Sequence, residues 1–153
     1  MSANRGDGNS MDGTELVAWR GFLKAHARLL KEIDSVLEAD HRLPLSSFGV
    51  LHELAETPGR RMRMRDLAES VALSRSGLSR LVDRLEREGL IEREPCADDA
   101  RGAYAVLTRR GLRRLEQARP AHLEAVRKRF LGHFSRDELK ALAGYWDRLL
   151  ASK

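Results

Sequence analysis

Leu73-Ser74-Arg75-Ser76-Gly77-Leu78-Ser79-Arg80-Leu81-Val82-Asp83-Arg84-Leu85-Glu86-Arg87-Glu88-Gly89-Leu90-Ile91-Glu92-Arg93 decides how the rest of the chain is read. Leu78, Leu81, Val82 and Leu85 recur at the spacing of one helix face. Arg75, Ser76, Ser79, Arg80 and Arg84 fall elsewhere around the same helix. Ser74 is placed to accept a hydrogen bond from an orphan N–H of the first turn, and Gly89 is placed to end the helix. One side is thus anchored in a core, while the other offers guanidinium and hydroxyl groups near the helix start. An arginine fork matches O6 and N7 of guanine, and a serine hydroxyl donates to phosphates or base edges. An ordinary solvated basic face would read the same way, and the helix alone does not choose between the two. Gly77, costly in a helix interior, implies a close approach to the backbone.

The residues C-terminal to the helix make the choice. Leu90-Ile91-Glu92-Arg93 and Ala103-Tyr104-Ala105-Val106-Leu107-Thr108 read as two short strands. Glu94-Pro95-Cys96-Ala97-Asp98-Asp99-Ala100-Arg101-Gly102 between them reads as a polar loop rich in turn residues. A helix, a strand, a loop and a returning strand make a helix with a β-wing. Arg101, near the loop tip, would reach a DNA backbone or minor groove beside the major groove that the helix fills. In Asp66-Leu67-Ala68, Leu73 to Leu85, Gly89 to Arg93, Asp99-Ala100-Arg101-Gly102 and Leu107-Thr108-Arg109-Arg110-Gly111, in that order and spacing, the chain resembles the MarR family of bacterial winged helix-turn-helix regulators. The resemblance runs over nearly the whole chain from about Glu15. It implies a mainly α fold with a small β-wing, a winged helix-turn-helix joined to a helical dimerisation platform.

Composition agrees with a nucleic-acid partner without requiring one. The chain has 153 residues, a formal charge of +5 and a pI near 9.9, with acidic residues also plentiful. Such a balance favours an anionic partner but makes no polybasic tail, so specificity must lie in where the arginines sit. One cysteine permits no intramolecular disulfide and suits a reducing cytoplasm. No apolar run approaches the roughly 18 residues of a membrane span, and no signal-peptide pattern opens the chain. The five histidines, His26, His41, His52, His122 and His133, lack metal-ligand spacing, and no phosphate loop or nucleophile motif occurs. Neither an enzyme, a metal site nor a cofactor is expected.

Taken in order, residues 1–13 read as a disordered tail with almost nothing to bury. Residues 14–40 read as one long helix in which Leu16, Leu23, Leu30 and Leu37 recur every seventh position, with Trp19, Phe22, Leu29, Ile33 and Val36 filling the stripe. That is more apolar surface than a small domain covers, which predicts a second subunit. Residues 44–108 form the winged helix-turn-helix: a helix capped by Ser46, a strand from Arg61 to Met64, and a short helix to Val71 that buries Leu67, Ala68 and Val71. Residues 109–153 carry two helices, the first interrupted at Pro120 and the second opened by the capping box Ser135-Arg136-Asp137-Glu138.

The resemblance implies a homodimer that sets two recognition helices into successive major grooves of a double-stranded, pseudo-palindromic operator and represses by covering a promoter. Arg75, Ser76, Ser79 and Arg80 are the expected base-edge and phosphate contacts, joined by Arg84 on the helix and Arg101 on the wing. Asp99 is expected to orient Arg101 or Arg84. The family's effectors are often phenolic or aromatic acids; Trp19, His26, Phe48 and Arg93 are the expected lining of such a pocket, although each also suits ordinary core or surface. Two alternatives stay open: redox sensing through Cys96, and an architectural protein that binds DNA without a preferred site.

Overall fold

The recognition stretch folds as its pattern dictates. Helix α4, Arg75–Arg87, starts at Ser74, whose hydroxyl accepts the Gly77 N–H at 3.1 Å. It turns Leu78, Leu81, Val82 and Leu85 into the core and stops at Gly89, whose φ of +71° few other residues adopt cheaply. Gly77 occupies the third helical position, and what approaches it is the capping hydroxyl itself: a Cβ there would lie 3.0 Å from Ser74 Oγ. The computed structural model describes residues 10–151.

Around α4 the chain is mainly α-helical with one three-stranded antiparallel sheet. Helix α1 is Gly13–His41 and α2 is Leu45–Glu56; a 3₁₀ turn, Pro58–Arg60, leads to β1, Arg61–Arg63, and α3 is Met64–Ser70. Strands β2, Ile91–Cys96, and β3, Asp99–Leu107, come after α4; helix α5 is Arg109–Arg129, a 3₁₀ turn spans Leu131–His133, and α6 is Arg136–Ala151. The sheet order is β1-β3-β2. One core joins Ile33 and Leu37 of α1, Phe48, Val50, Leu51 and Leu54 of α2, Leu67 of α3, the apolar face of α4, Ile91, Ala105 and Leu107 of the sheet, and Leu115 and Ala118 of α5. No helix among the described residues is long and apolar enough to cross a membrane.

Five expectations are revised. The tail ends earlier, because Asp12 caps α1 reciprocally with Glu15 at 2.8 and 2.9 Å; the rest of the expected tail, residues 1–9, lies outside the described residues. Helix α2 starts at Leu45 rather than after Ser46, and the Leu45 N–H donates to Asp34 Oδ1 of α1 at 2.7 Å. A side chain eleven residues away does the work assigned to Ser46. Strand β1 ends at Arg63, since Met64 already opens α3.

The wing is longer than its turn-rich composition suggests. Ala97 and Asp98 alone form the turn, and Cys96 pairs across it with Asp99. Pro95 is tolerated because β2 is an edge strand. Between Pro95↔Ala103 and Cys96↔Asp99 the register slips, leaving Ala100, Arg101 and Gly102 in a bulge. Finally, α5 runs unbroken through Pro120, which forfeits one backbone hydrogen bond but no continuity.

The joint between wing and α5 is tightly packed. Thr108 caps α5 by accepting the Gly111 N–H at 2.9 Å, and its own hydroxyl donates to the Gly89 carbonyl at 2.7 Å. Gly111 then passes so close to β2 that a Cβ would sit 2.1 Å from the Leu90 carbonyl oxygen. Only glycine fits.

Candidate nucleic-acid interface

Between α4 and the wing opens a cleft of about 660 Å³ lined by Arg63, Arg65, Arg75, Ser76, Ser79, Arg93, Cys96, Asp99 and Arg101. Five arginines from β1, α3, α4, β2 and the bulge of β3 converge on it. The guanidiniums of Arg75 and Arg101 are exposed and have no hydrogen-bond or ion-pair partner among the described residues, and neither does that of Arg80, one turn beyond Ser76 on α4. Cations left unpaired on one face are free to meet an anion.

The remaining arginines are held. Arg65 pairs with Asp66 at 3.2 Å. Arg63 hydrogen-bonds the Tyr104 side chain, which holds its guanidinium above the ordinary arginine value, and Arg61 lies over the same ring at 4.1 Å. Arg93 reaches from β2 back to α4, meeting Asp83 at 2.7 Å, Glu86 at 2.8 Å and the Ser79 carbonyl at 3.2 Å. Burial works against its charge, but Asp83 and Glu86 outweigh it and keep its pKa raised. Arg84 turns to the other side, where Nη2 donates to Ser47 Oγ of α2 at 2.7 Å. Ser47 is buried, so Arg84 satisfies a core hydroxyl rather than joining the cleft.

Asp99 orients the wing through the backbone. Its Oδ1 accepts the Arg101 N–H at 3.0 Å, closing the bulge, while Arg84 is engaged elsewhere with Ser47. Gly102 keeps room for this arrangement, since a Cβ there would meet Asp99 Oδ2 at 3.1 Å and Cys96 Sγ at 3.2 Å. Cys96 is largely buried at the base of the bulge, on the wall of the cleft.

The residues expected to line one effector pocket fall into three separate sets of contacts. Trp19 and His26 each stack on Phe22 at 6.0 Å, and Phe22 meets Trp146 of α6 at 5.8 Å. Phe48 is buried and stacks on His122 at 4.3 Å and His52 at 6.0 Å. Arg93 belongs to the α4–wing joint.

A sequence model of the MarR family matches residues 43–102, the span from the start of α2 to the wing bulge. Over almost the whole chain the structure is similar to AbsC, a MarR family transcriptional regulator of Streptomyces coelicolor: 32% identity, 93% of this chain and 95% of that one covered, TM-score 0.85. The chain belongs to the MarR family. It is also similar to Sco3205, a MarR family transcriptional regulator of the same organism solved in complex with DNA, with 36% identity, coverage of 94% and 89%, and a TM-score of 0.86. In this MarR-family chain, the sequence anticipated α4 and the wing arginine but missed the Arg93 joint. No local spacing links a strand arginine to a helix serine fourteen positions earlier.

Proposed function

We propose that this MarR-family transcriptional regulator binds double-stranded DNA as a homodimer, with α4 in the major groove and the wing along the backbone or minor groove. The observation that carries the DNA reading is the set of unpaired guanidiniums, Arg75, Arg80 and Arg101, beside one arginine-lined cleft. Ser76 and Ser79 supply hydroxyls among them. Sco3205, similar over most of its length, was crystallised with DNA. Residues 44–108 then act as the reading head, and residues 14–40 with 109–153 as the dimerisation platform. Two heads on a two-fold axis suit half-sites roughly 34–36 Å apart. Repression comes from covering a promoter, and release from a small aromatic or phenolic effector that changes the spacing between heads.

Selection of bound sequences from random duplex DNA tests this reading; a two-fold symmetric site is expected. On the recovered duplex, Arg80→Ala should cost roughly 1–3 kcal/mol while weakening a scrambled duplex less, as a lost base-edge contact does. Arg101→Ala should weaken both alike and reduce the slope of log affinity against log salt by about one unit. Retention of neither duplex, or coverage without any preferred site, would overturn sequence-specific regulation; the second outcome would favour an architectural protein.

A further inference from the structure

Asp83 and Glu86 place two carboxylates on α4 in the turns after Ser76, Ser79 and Arg80. A helix laid against phosphates is repelled by every carboxylate left uncovered. Arg93 covers both: Nη1 lies 2.7 Å from Asp83 Oδ1 and 2.8 Å from Glu86 Oε2, and the Arg93 backbone N–H donates to Glu86 Oε1 at 3.3 Å. Its Nη2 donates to the Ser79 carbonyl at 3.2 Å and to the Ser79 hydroxyl at 3.3 Å. A cation thus occupies the Ser79 oxygen, while the hydroxyl proton finds no acceptor among the described residues. A serine held this way faces its cleft as a donor.

We propose that Arg93 is the positioning residue of the reading face: it masks Asp83 and Glu86 from DNA and fixes Ser79 as a hydrogen-bond donor, so that Ser79 selects an acceptor-bearing base edge or a phosphate oxygen. The inference rests on the DNA-binding reading above. Arg93 acts through its neighbours, unlike Arg75, Arg80 and Arg101, which stand free. The fork reaches Asp83 and Glu86 from Nη1 and Ser79 from Nη2, a spread that the single nitrogen of a lysine does not match.

The test measures affinity for the selected duplex and its scrambled counterpart, with thermal melts confirming the fold. Arg93→Ala should weaken the selected duplex roughly 10- to 100-fold, and Arg93→Lys should recover little of that loss. Adding Asp83→Asn and Glu86→Gln to Arg93→Ala should regain about tenfold, because no carboxylate remains to be masked. Adding Asp137→Asn and Asp147→Asn on α6 instead, with the mass seen by light scattering unchanged, makes the same change of net charge and should regain nothing. Ser79→Ala should cost affinity in the wild type but none further beside Arg93→Ala. Equal rescue by both charge sets, or no rescue by the first, would overturn the masking role and leave a merely structural joint. If Arg93→Ala does not fold, Arg93→Lys at wild-type affinity overturns the proposal and a weakened Arg93→Lys supports it. Wild-type protein that ignores both duplexes would remove the DNA reading and this inference together. Wild-type binding with an unaffected, folded Arg93→Ala removes this inference alone.

Discussion

Gly111 and Gly49 both lie in helices, yet their surroundings differ completely. A methyl group at Gly111 would press on the Leu90 carbonyl at 2.1 Å and on Leu107 at 2.7 Å, whereas one at Gly49 has nothing within 4 Å. Gly111→Ala should therefore cost about 3 kcal/mol, the upper end of ordinary overpacking, and Gly49→Ala should stabilise by roughly 0.5–1 kcal/mol. Urea unfolding midpoints check both; equal midpoints would mean that the wing–α5 joint yields more easily than its geometry says. Nothing in the sequence distinguishes the two glycines. By contrast, the Ser74 cap and the Ser135–Glu138 box, with its 2.7 and 3.3 Å bonds, were legible because each closes within three residues. The bonds that hold α2 to its neighbours, Asp34 to Leu45 and Arg84 to Ser47, span eleven and thirty-seven residues, and no spacing rule reaches them.

At the scale of elements, α2 and α5 meet through Phe48, which stacks on His122 of α5 and lies near His52 of its own helix. Glu56, beside His52 at 3.9 Å, also meets Arg119 of α5 at 3.3 Å. Burial, together with the nearby His52, pushes the His122 pKa below the usual histidine value. The fold thus favours neutral His122: its contribution is complete above the ordinary histidine pKa and is lost as pH falls below about 6.5 toward the lower folded value. Melting temperature should fall more steeply between pH 7 and 5 for the wild type than for His122→Gln, and parallel profiles would clear His122 of that role. The helices themselves were readable from their apolar stripes, as was the presence of a wing. Its length was not, because Pro95, Asp99 and Gly102 are poor strand residues, held there by the pairing of β2 with β3 and by the Asp99 bulge contact.

Over the whole molecule, apolar surface is left uncovered at one end. Helix α6 has no buried residue, Leu150 is 81% exposed, and Trp19, Leu23 and Leu30 of α1 are exposed as well. A sixteen-residue amphipathic helix without cover holds poorly in water. We expect Leu149→Asp with Leu150→Asp to halve the mass seen by light scattering while leaving helical circular dichroism largely intact. An unchanged mass would refute dimerisation through this end. The seventh-position repeat in α1 announced that surface, but only the fold separates Leu37, which is fully buried, from Leu16, Leu23 and Leu30, which are not.

Helix α5 joins the two ends of the molecule. It starts locked against Leu90 by Thr108 and Gly111 and finishes tied to α1 by the 2.9 Å Arg129–Glu32 pair. Its twenty-one residues make a shaft roughly 30 Å long. A tilt of about 5° at one end of such an arm carries the other end roughly 3 Å, by the same rise per residue. A hydrogen bond to a base edge does not survive a displacement of that size. In the DNA complex proposed above, α5 is a lever: a small tilt at its α1 end is multiplied along the shaft, and an angle there sets how the reading head meets the double helix.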